Sequence, residues 1–302
     1  MSRLAAIDVG TNTVRLLVTE PDGREVVRLV EVTRLGQDVD ATRVLAAAAV
    51  ERTVAVVGSY VRRARGLGAS RSVVAATSAL RDAANRDEFC EAVRSVAGVE
   101  VEVLTGADEG RLTFEGATSG LPAEPALVVD IGGGSTELVR GTGRAESVWS
   151  LDLGAVRLRE RCLKSDPPSV LEVEAAHALV RQGLREADRE LNVTGAEVLV
   201  GVAGTVTTLA ALSLGLKTYD RSRVHHSRLS AEKVGNWTEA LLRMPSHQIR
   251  SLGAMHPGRA DVIGSGALIL REVVRWSGAQ EVVVSESDIL DGLISRMRSQ
   301  PG

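Results

Sequence analysis

The stretch Val128-Val129-Asp130-Ile131-Gly132-Gly133-Gly134-Ser135-Thr136-Glu137-Leu138-Val139 limits what this chain can fold into more than any other. An apolar run ends in an aspartate, three glycines and two hydroxyl residues follow, and apolar residues return at once with a glutamate among them. The pattern predicts strand, tight loop, strand. Glycines let the backbone turn through positive φ and bring its N–H groups against an anion, since no Cβ stands in the way. Gly132, Gly133, Gly134 and Ser135 then read as a phosphate cradle, with Asp130 at the mouth of the strand holding a hydrated divalent cation beside it. A plain glycine-rich hairpin is the other reading of this stretch taken alone.

The chain opens on a variant of the same pattern, Ala5-Ala6-Ile7-Asp8-Val9-Gly10-Thr11-Asn12-Thr13-Val14-Arg15-Leu16-Leu17-Val18. Asp130 follows Asp8 by 122 residues, about one domain length. Two similar domains facing each other would present Gly10, Thr11, Asn12 and Thr13 from one side and Gly132 to Ser135 from the other to one polyanionic ligand. This duplication favours the phosphate reading over the plain hairpin.

At 302 residues there is room for two cores. A net charge of −3 argues against a general nucleic-acid or membrane surface, and aromatics at 2% leave almost no base-stacking platforms. Lys164, Lys217 and Lys233 are the only lysines among 36 basic residues, so phosphate contacts would be made by planar, bidentate arginines. A biased genome composition explains the same imbalance. Cys90 and Cys162 have no metal-like spacing and fit a reducing, cytoplasmic setting. No run of eighteen apolar residues occurs.

Along the chain, strands are predicted at Leu4 to Ile7, Val14 to Thr19 and Glu25 to Val32, followed by a helix from Ala41 to Arg65 whose part from Leu45 to Val50 is buried. Further strands are predicted at Ser72 to Ala76 and Val99 to Val103, with Asn85 capping a helix from Arg86 to Val96. Thr105 to Leu112 opens a helix with Asp108 and Glu109 in its first turn; the acids either answer the helix dipole or orient a water. Leu121-Pro122-Ala123-Glu124-Pro125 is the expected domain boundary. In the second half, Asp152 to Leu158 ends a strand and begins a helix, and Val170 to Glu190, Ala231 to Arg243, Ala260 to Trp276 and Ile289 to Met297 read as helices. Gly204 and Thr205, between a strand at Val198 to Val202 and a helix, form either a third anion-binding turn or a threonine-capped helix start. His225 and His226 lack metal spacing and read as solvated loop residues.

Seven pieces in this order resemble the exopolyphosphatase and guanosine pentaphosphate phosphohydrolase (Ppx/GppA) family, within the superfamily of actin, sugar kinases and heat-shock chaperone ATPases. They are Ile7 to Thr13, Ala76 to Arg81, Thr105 to Leu112, Asp130 to Glu137, Leu153 to Arg157, Gly201 to Leu209 and Asp261 to Ile263. The resemblance implies an α/β chain of two RNase H-like (actin-like ATPase) domains, each a mixed sheet flanked by helices, with an interdomain cleft. Their expected extents are 1–123 and 124–288, the helix of about 289–302 being free to pack back on the first.

The same resemblance implies an exopolyphosphatase. Glu109 would be the general base for the attacking water, Arg81 a contact to the phosphate chain, and Asp8, Asp130 and Glu137 the holders of Mg²⁺. It also implies a homodimer, acting on inorganic polyphosphate or guanosine pentaphosphate (pppGpp), with no nucleic-acid or membrane partner. Asp108-Glu109-Gly110 stands where the family commonly writes Glu-Glu-Ala, which keeps the second acid. Long members carry further helical domains with an HD-like site; a chain of this length is expected to digest long polyphosphate less processively. A sugar or acetate kinase would need a purine pocket and a sugar-binding aspartate, neither of which is evident here. A non-catalytic alarmone-binding protein is separated from an enzyme by turnover. A Rossmann enzyme is disfavoured, because a strand and not a helix follows the glycines and GxGxxG is absent.

Overall fold

A computed structural model describes residues 2–191 and 198–300, which divide into two compact units, 1–116 with 289–302 and 117–288. The first unit runs β1 (Arg3–Val9), β2 (Thr13–Thr19), β3 (Glu25–Val32), α1 (Val39–Thr42), α2 (Ala47–Gly66), β4 (Ala69–Ala76), α3 (Ser78–Asp82), α4 (Arg86–Ala97), β5 (Val101–Val103) and α5 (Gly106–Ala117). Its sheet has the order β3-β2-β1-β4-β5, antiparallel along the opening meander and parallel from β1 through β4 to β5.

The second unit runs β6 (Pro125–Ile131), β7 (Thr136–Thr142), β8 (Ala145–Leu151), α6 (Ala155–Cys162), α7 (Val170–Leu191), β9 (Val198–Val202), α8 (Ala203–Ser213), α9 (Arg221–Val224), β10 (Arg228–Ser230), α10 (Ala231–Arg243), α11 (Ser246–Ile249), α12 (Ile263–Ser277) and β11 (Glu281–Val284). Its order, β10-β11-β9-β6-β7-β8, contains the same five-strand plan with β10 added antiparallel at the edge. Both are the mixed, RNase H-like sheets flanked by helices that the resemblance implies. The final helix, α13 (Ile289–Ser299), belongs to the first unit.

Alternation along β1 sorts its residues onto two faces. Ala5, Ile7 and Val9 enter a core with Val57, Val61, Phe89 and Val93 of α2 and α4, whereas Leu4 and Ala6 join Leu112 of α5 and Leu290, Leu293 and Met297 of α13. Asp8 continues the second row. It therefore lies on the α5 side of the sheet, at the C-terminal end of the strand. In the second unit Leu127, Val129 and Ile131 of β6 face a large core with α7, α8 and α12, which puts Asp130 on the other face.

Helix ends follow local chemistry. Ser169 and Glu172 make a reciprocal capping box: Glu172 accepts from Ser169 N at 2.7 Å, and Ser169 Oγ accepts from Glu172 N at 3.4 Å. Two sequence expectations are corrected. The helix expected from Ala41 to Arg65 is broken, because Arg43 adopts φ 58° after the short α1, and α2 starts only at Ala47 with Ala46, Ala47 and Ala48 exposed. Asn85 caps nothing; its amide instead clasps Leu45, accepting from Leu45 N at 2.9 Å and donating to Leu45 O at 3.1 Å. This clasp takes up the backbone groups left over by the helix break.

In the second unit α7 and α12 are joined through a buried carboxylate. Glu272 lies 2.9 Å from His177 Nδ1, 2.6 Å from Arg181 Nε and 3.2 Å from Arg275 Nη1. Burial pushes its pKa up, but the His177 and Arg181 contacts outweigh burial and hold it down at about 2. A depressed carboxylate contributes stability that is complete above its unfolded pKa and fades as pH falls toward the folded one. Replacing Glu272 by Ala is expected to destabilise the second unit by about 1–2 kcal/mol, since it removes the carboxylate's hydrogen bonds while Arg181 and Arg275, both about half exposed, stay solvated. Urea unfolding should show that loss at pH 7, and the gap between wild type and Glu272→Ala should narrow from about pH 4.5 toward pH 2.

Candidate active site

Each unit carries one strand-loop-strand of the kind expected, and the two are built alike. Gly10 N donates to Thr13 O at 2.9 Å and Gly132 N to Ser135 O at 3.1 Å, closing the β1–β2 and β6–β7 loops in the same way. Behind each loop lies the segment that follows the third strand. In the first unit Thr33 N and Arg34 N both donate to Asn12 O at 3.0 Å, and Gly36 N donates to Thr11 O at 2.8 Å. In the second, Ala155 N donates to Gly132 O at 2.9 Å and Val156 N to Gly133 O at 2.8 Å. With these carbonyls engaged from behind, the N–H of the next residue in each peptide plane, Asn12 and Thr13 in one loop and Gly133 and Gly134 in the other, points the opposite way, an arrangement that suits an anion.

Both backing segments contain a Leu-Gly pair, Leu35-Gly36 and Leu153-Gly154. A Cβ at Gly36 would fall 2.3 Å from the Thr11 methyl, and one at Gly154 would fall 2.5 Å from the Gly133 backbone. Only glycine allows either approach. Sequence reading singled out the second pair and missed the first; the repeated Leu-Gly after each third strand was the available signal.

The carboxylates differ between the halves. Asp130 stands directly across from Glu137 on β6 and β7, and both are buried, with Ser150 Oγ donating to Glu137 Oε1 at 2.7 Å. At the matching position of the first unit Asp8 faces Arg15, which donates to Asp8 Oδ2 through Nε at 3.0 Å and Nη2 at 2.8 Å. Arg15 was not foreseen, although it follows Asp8 by the same seven residues that separate Glu137 from Asp130.

Asp130 and Glu137 offer hard oxygen donors of the type Mg²⁺ prefers. Among the described residues no group of three or more His, Cys, Asp or Glu side chains is placed to hold a metal. That combination suits an ion bound through one or two carboxylates, with waters and substrate phosphate completing its shell, and does not suit an all-protein cage. Asp8, whose charge is shared with Arg15, is the weaker donor of the three.

Glu109 lies in the first turn of α5 and is buried. It is one turn ahead of Leu112, which packs on the sheet face that carries Asp8. Arg81, in the last turn of α3, donates through Nη1 to Glu109 Oε2 at 3.1 Å and to Leu104 O at 3.0 Å. The structure thus brings these two sequence candidates into direct contact. Asp108 turns outward, its carboxylate accepting from Thr105 Oγ1 at 2.6 Å and Arg111 Nη1 at 3.3 Å, while Thr105 Oγ1 caps the helix by accepting from Asp108 N at 3.1 Å.

At the third turn, Thr205 is buried at the start of α8, and Ala203 ahead of it holds φ 64°, an uncommon conformation for a side-chain-bearing residue. The helix has no side-chain cap, so the threonine-cap reading fails. Arg259 reaches over the turn, with Nη1 3.4 Å from Gly204 O and 3.5 Å from Thr208 Oγ1, and thus places a cation there. His225 and His226 stack on each other, with ring centroids 3.7 Å apart, and His225 Nδ1 accepts from Glu286 N at 3.1 Å. His225 is half-buried against the end of β11, a departure from the expected solvated position, whereas His226 is exposed as expected.

A family model described as the Ppx/GppA phosphatase family matches residues 19–300. This chain belongs to the Ppx/GppA phosphatase family. Exopolyphosphatase 2 of Mycobacterium tuberculosis is 42% identical over 311 residues, covering 97% of this chain and 98% of that one. A crystal structure of an exopolyphosphatase-like protein superposes with a TM-score of 0.93 at 38% identity, covering 98% of this chain and 97% of the other. The Aquifex aeolicus Ppx/GppA family member does so with a TM-score of 0.82 at 32% identity, again over 98% and 97%. No helix among the described residues is long and apolar enough to cross a membrane.

The close approach behind the first loop gives a direct test. Gly36→Ala is expected to cost about 1–3 kcal/mol through overpacking against the Thr11 methyl. Thr11→Ser, which removes that methyl, should return most of the loss in the double variant. Gly154→Ala meets backbone and should find no such relief, and thermal unfolding of the four proteins measures the difference.

Proposed function

We propose that this chain is an exopolyphosphatase, a Mg²⁺-dependent hydrolase that releases the terminal phosphate of inorganic polyphosphate to water. The observation that carries the reading is the Arg81–Glu109 pair, a buried carboxylate oriented by a guanidinium on the face of the sheet that ends in a phosphate-type loop. The name of the Mycobacterium tuberculosis relative supports the choice of substrate.

Glu109 acts as general base. It accepts a proton from the water that attacks the terminal phosphorus, as the new P–O bond forms and the anhydride P–O bond breaks. Arg81 holds the carboxylate in place through Oε2 and offers its remaining N–H groups to charge developing on the phosphoryl oxygens. The amides of Thr11 to Thr13 and Gly133 to Ser135 are assigned to phosphate oxygens, Gly10 N and Gly132 N being held by Thr13 O and Ser135 O, and Gly204 and Thr205 with Arg259 contribute a further phosphate contact. Asp130 and Glu137, with Asp8, are assigned to Mg²⁺, which when bound neutralises non-bridging oxygens of the phosphate chain.

Glu109→Gln is expected to lower kcat for phosphate release from polyphosphate by about 10²–10⁴-fold while leaving polyphosphate binding within a few-fold of wild type. Glu137→Gln should instead raise the Mg²⁺ concentration needed for half-maximal activity. Phosphate release measured on polyphosphate and on pppGpp, with Mg²⁺ and with chelator, decides the case. No Mg²⁺-dependent release from polyphosphate, or full activity in Glu109→Gln, overturns the reading.

A further inference from the structure

The geometry points to Ser78 as a positioning residue that couples the first phosphate loop to the general base, an inference that rests on the function proposed above. Ser78 Oγ and Thr11 Oγ1 are 2.9 Å apart and both side chains are buried, so each hydroxyl has the other as its partner. Thr11 belongs to the loop that closes on Gly10 and Thr13. Ser78 is the first residue of α3, and Arg81, which holds Glu109, follows three residues later on the same side of the turn.

α3 transmits position because it has no stability of its own. A helix of five residues is too short to persist without tertiary contacts, so its place is set by what it touches. Leu80 is fully buried in the core with α2 and α4. Ala79 lies against Gly36, whose added Cβ would come within 3.2 Å of the Ala79 Cβ. Thr77 N donates to Val9 O at 3.2 Å at the end of β1. Arg81 bonds Leu104 O and Glu109 at the far end of the turn. Four consecutive residues of one turn therefore bear on the phosphate loop, its backing segment, the core and the base.

A phosphate drawn into the loop displaces or stiffens Thr11, and the hydroxyl pair passes this to Ser78 and thence to Arg81. The Glu109 carboxylate is then held in line only when the loop is filled. Ser78 touches neither substrate nor the reacting atoms; it acts through Thr11 and Arg81.

The test is a double-mutant cycle in steady-state polyphosphate hydrolysis, using the near-isosteric Ser78→Ala and Thr11→Val in the full chain. Ser78→Ala is expected to lower kcat about tenfold with KM changed less than about twofold, because sub-ångström misplacement of a catalytic group acts on kcat. Thr11→Val should lower kcat as well. The double variant should be no slower than Thr11→Val alone, since the pair is lost either way. Ser78→Thr, which keeps the hydroxyl, should recover most of the kcat that Ser78→Ala loses, and thermal melts of each variant should show folded protein. An unchanged kcat in Ser78→Ala, an effect on KM alone, or additive losses in the double variant would overturn the coupling. Wild-type protein that releases no phosphate from polyphosphate would remove the proposed function and this inference together, whereas active wild type with unaffected Ser78→Ala removes the coupling alone.

Discussion

A backbone carbonyl that is already bonded cannot turn toward an anion, and this constraint organises both halves of the molecule. Thr11 and Asn12 in one loop, and Gly132 and Gly133 in the other, give their oxygens to the segment behind them. The N–H groups of the residues that follow them point the opposite way. Each loop therefore needs a second segment at close range, and the close range needs a glycine, supplied as Gly36 and Gly154. Each loop is thus a composite of a hairpin and the chain that follows the third strand.

From that shared frame the two halves diverge in charge. Opposite its aspartate one has a glutamate and the other an arginine, at the same register on paired strands. Two facing carboxylates suit a bound divalent cation; an aspartate facing a guanidinium is compensated internally. The first half adds a one-turn helix, α3, whose arginine bonds a buried glutamate in the first turn of α5. Duplication supplied the scaffold, and a few side chains divided the labour.

Much of this could be read from the chain alone. β1, β2, β3, β6 and β7 were legible because alternation and glycine punctuation are local signals, and seven ordered motifs sufficed for the family. The irregular connection from Thr33 to Ala46 was not legible. Its path depends on Leu35, Val39 and Leu45 reaching the core and on Asn85 clasping Leu45, all of them contacts distant in sequence. Arg34, Asp38 and Arg43 adopt positive φ there, which helix propensity opposes and tertiary bonding imposes. The short β10 and α9 escaped for a similar reason, being too brief for any periodicity to show.

The sequence by itself determined two strand-loop-strand modules, the acids at their mouths and the family, because spacing and residue type are written along the chain. Only tertiary structure decided that Arg81 meets Glu109 and that Arg15 neutralises Asp8. It alone showed that Ser78 shares a buried hydroxyl contact with Thr11 and that Asp108 turns away to bond Thr105 and Arg111. The physical reason is direction. A side chain's partner depends on which face of a strand or turn it leaves from and on what packs there, and neither is fixed until the sheets and helices have closed on their cores.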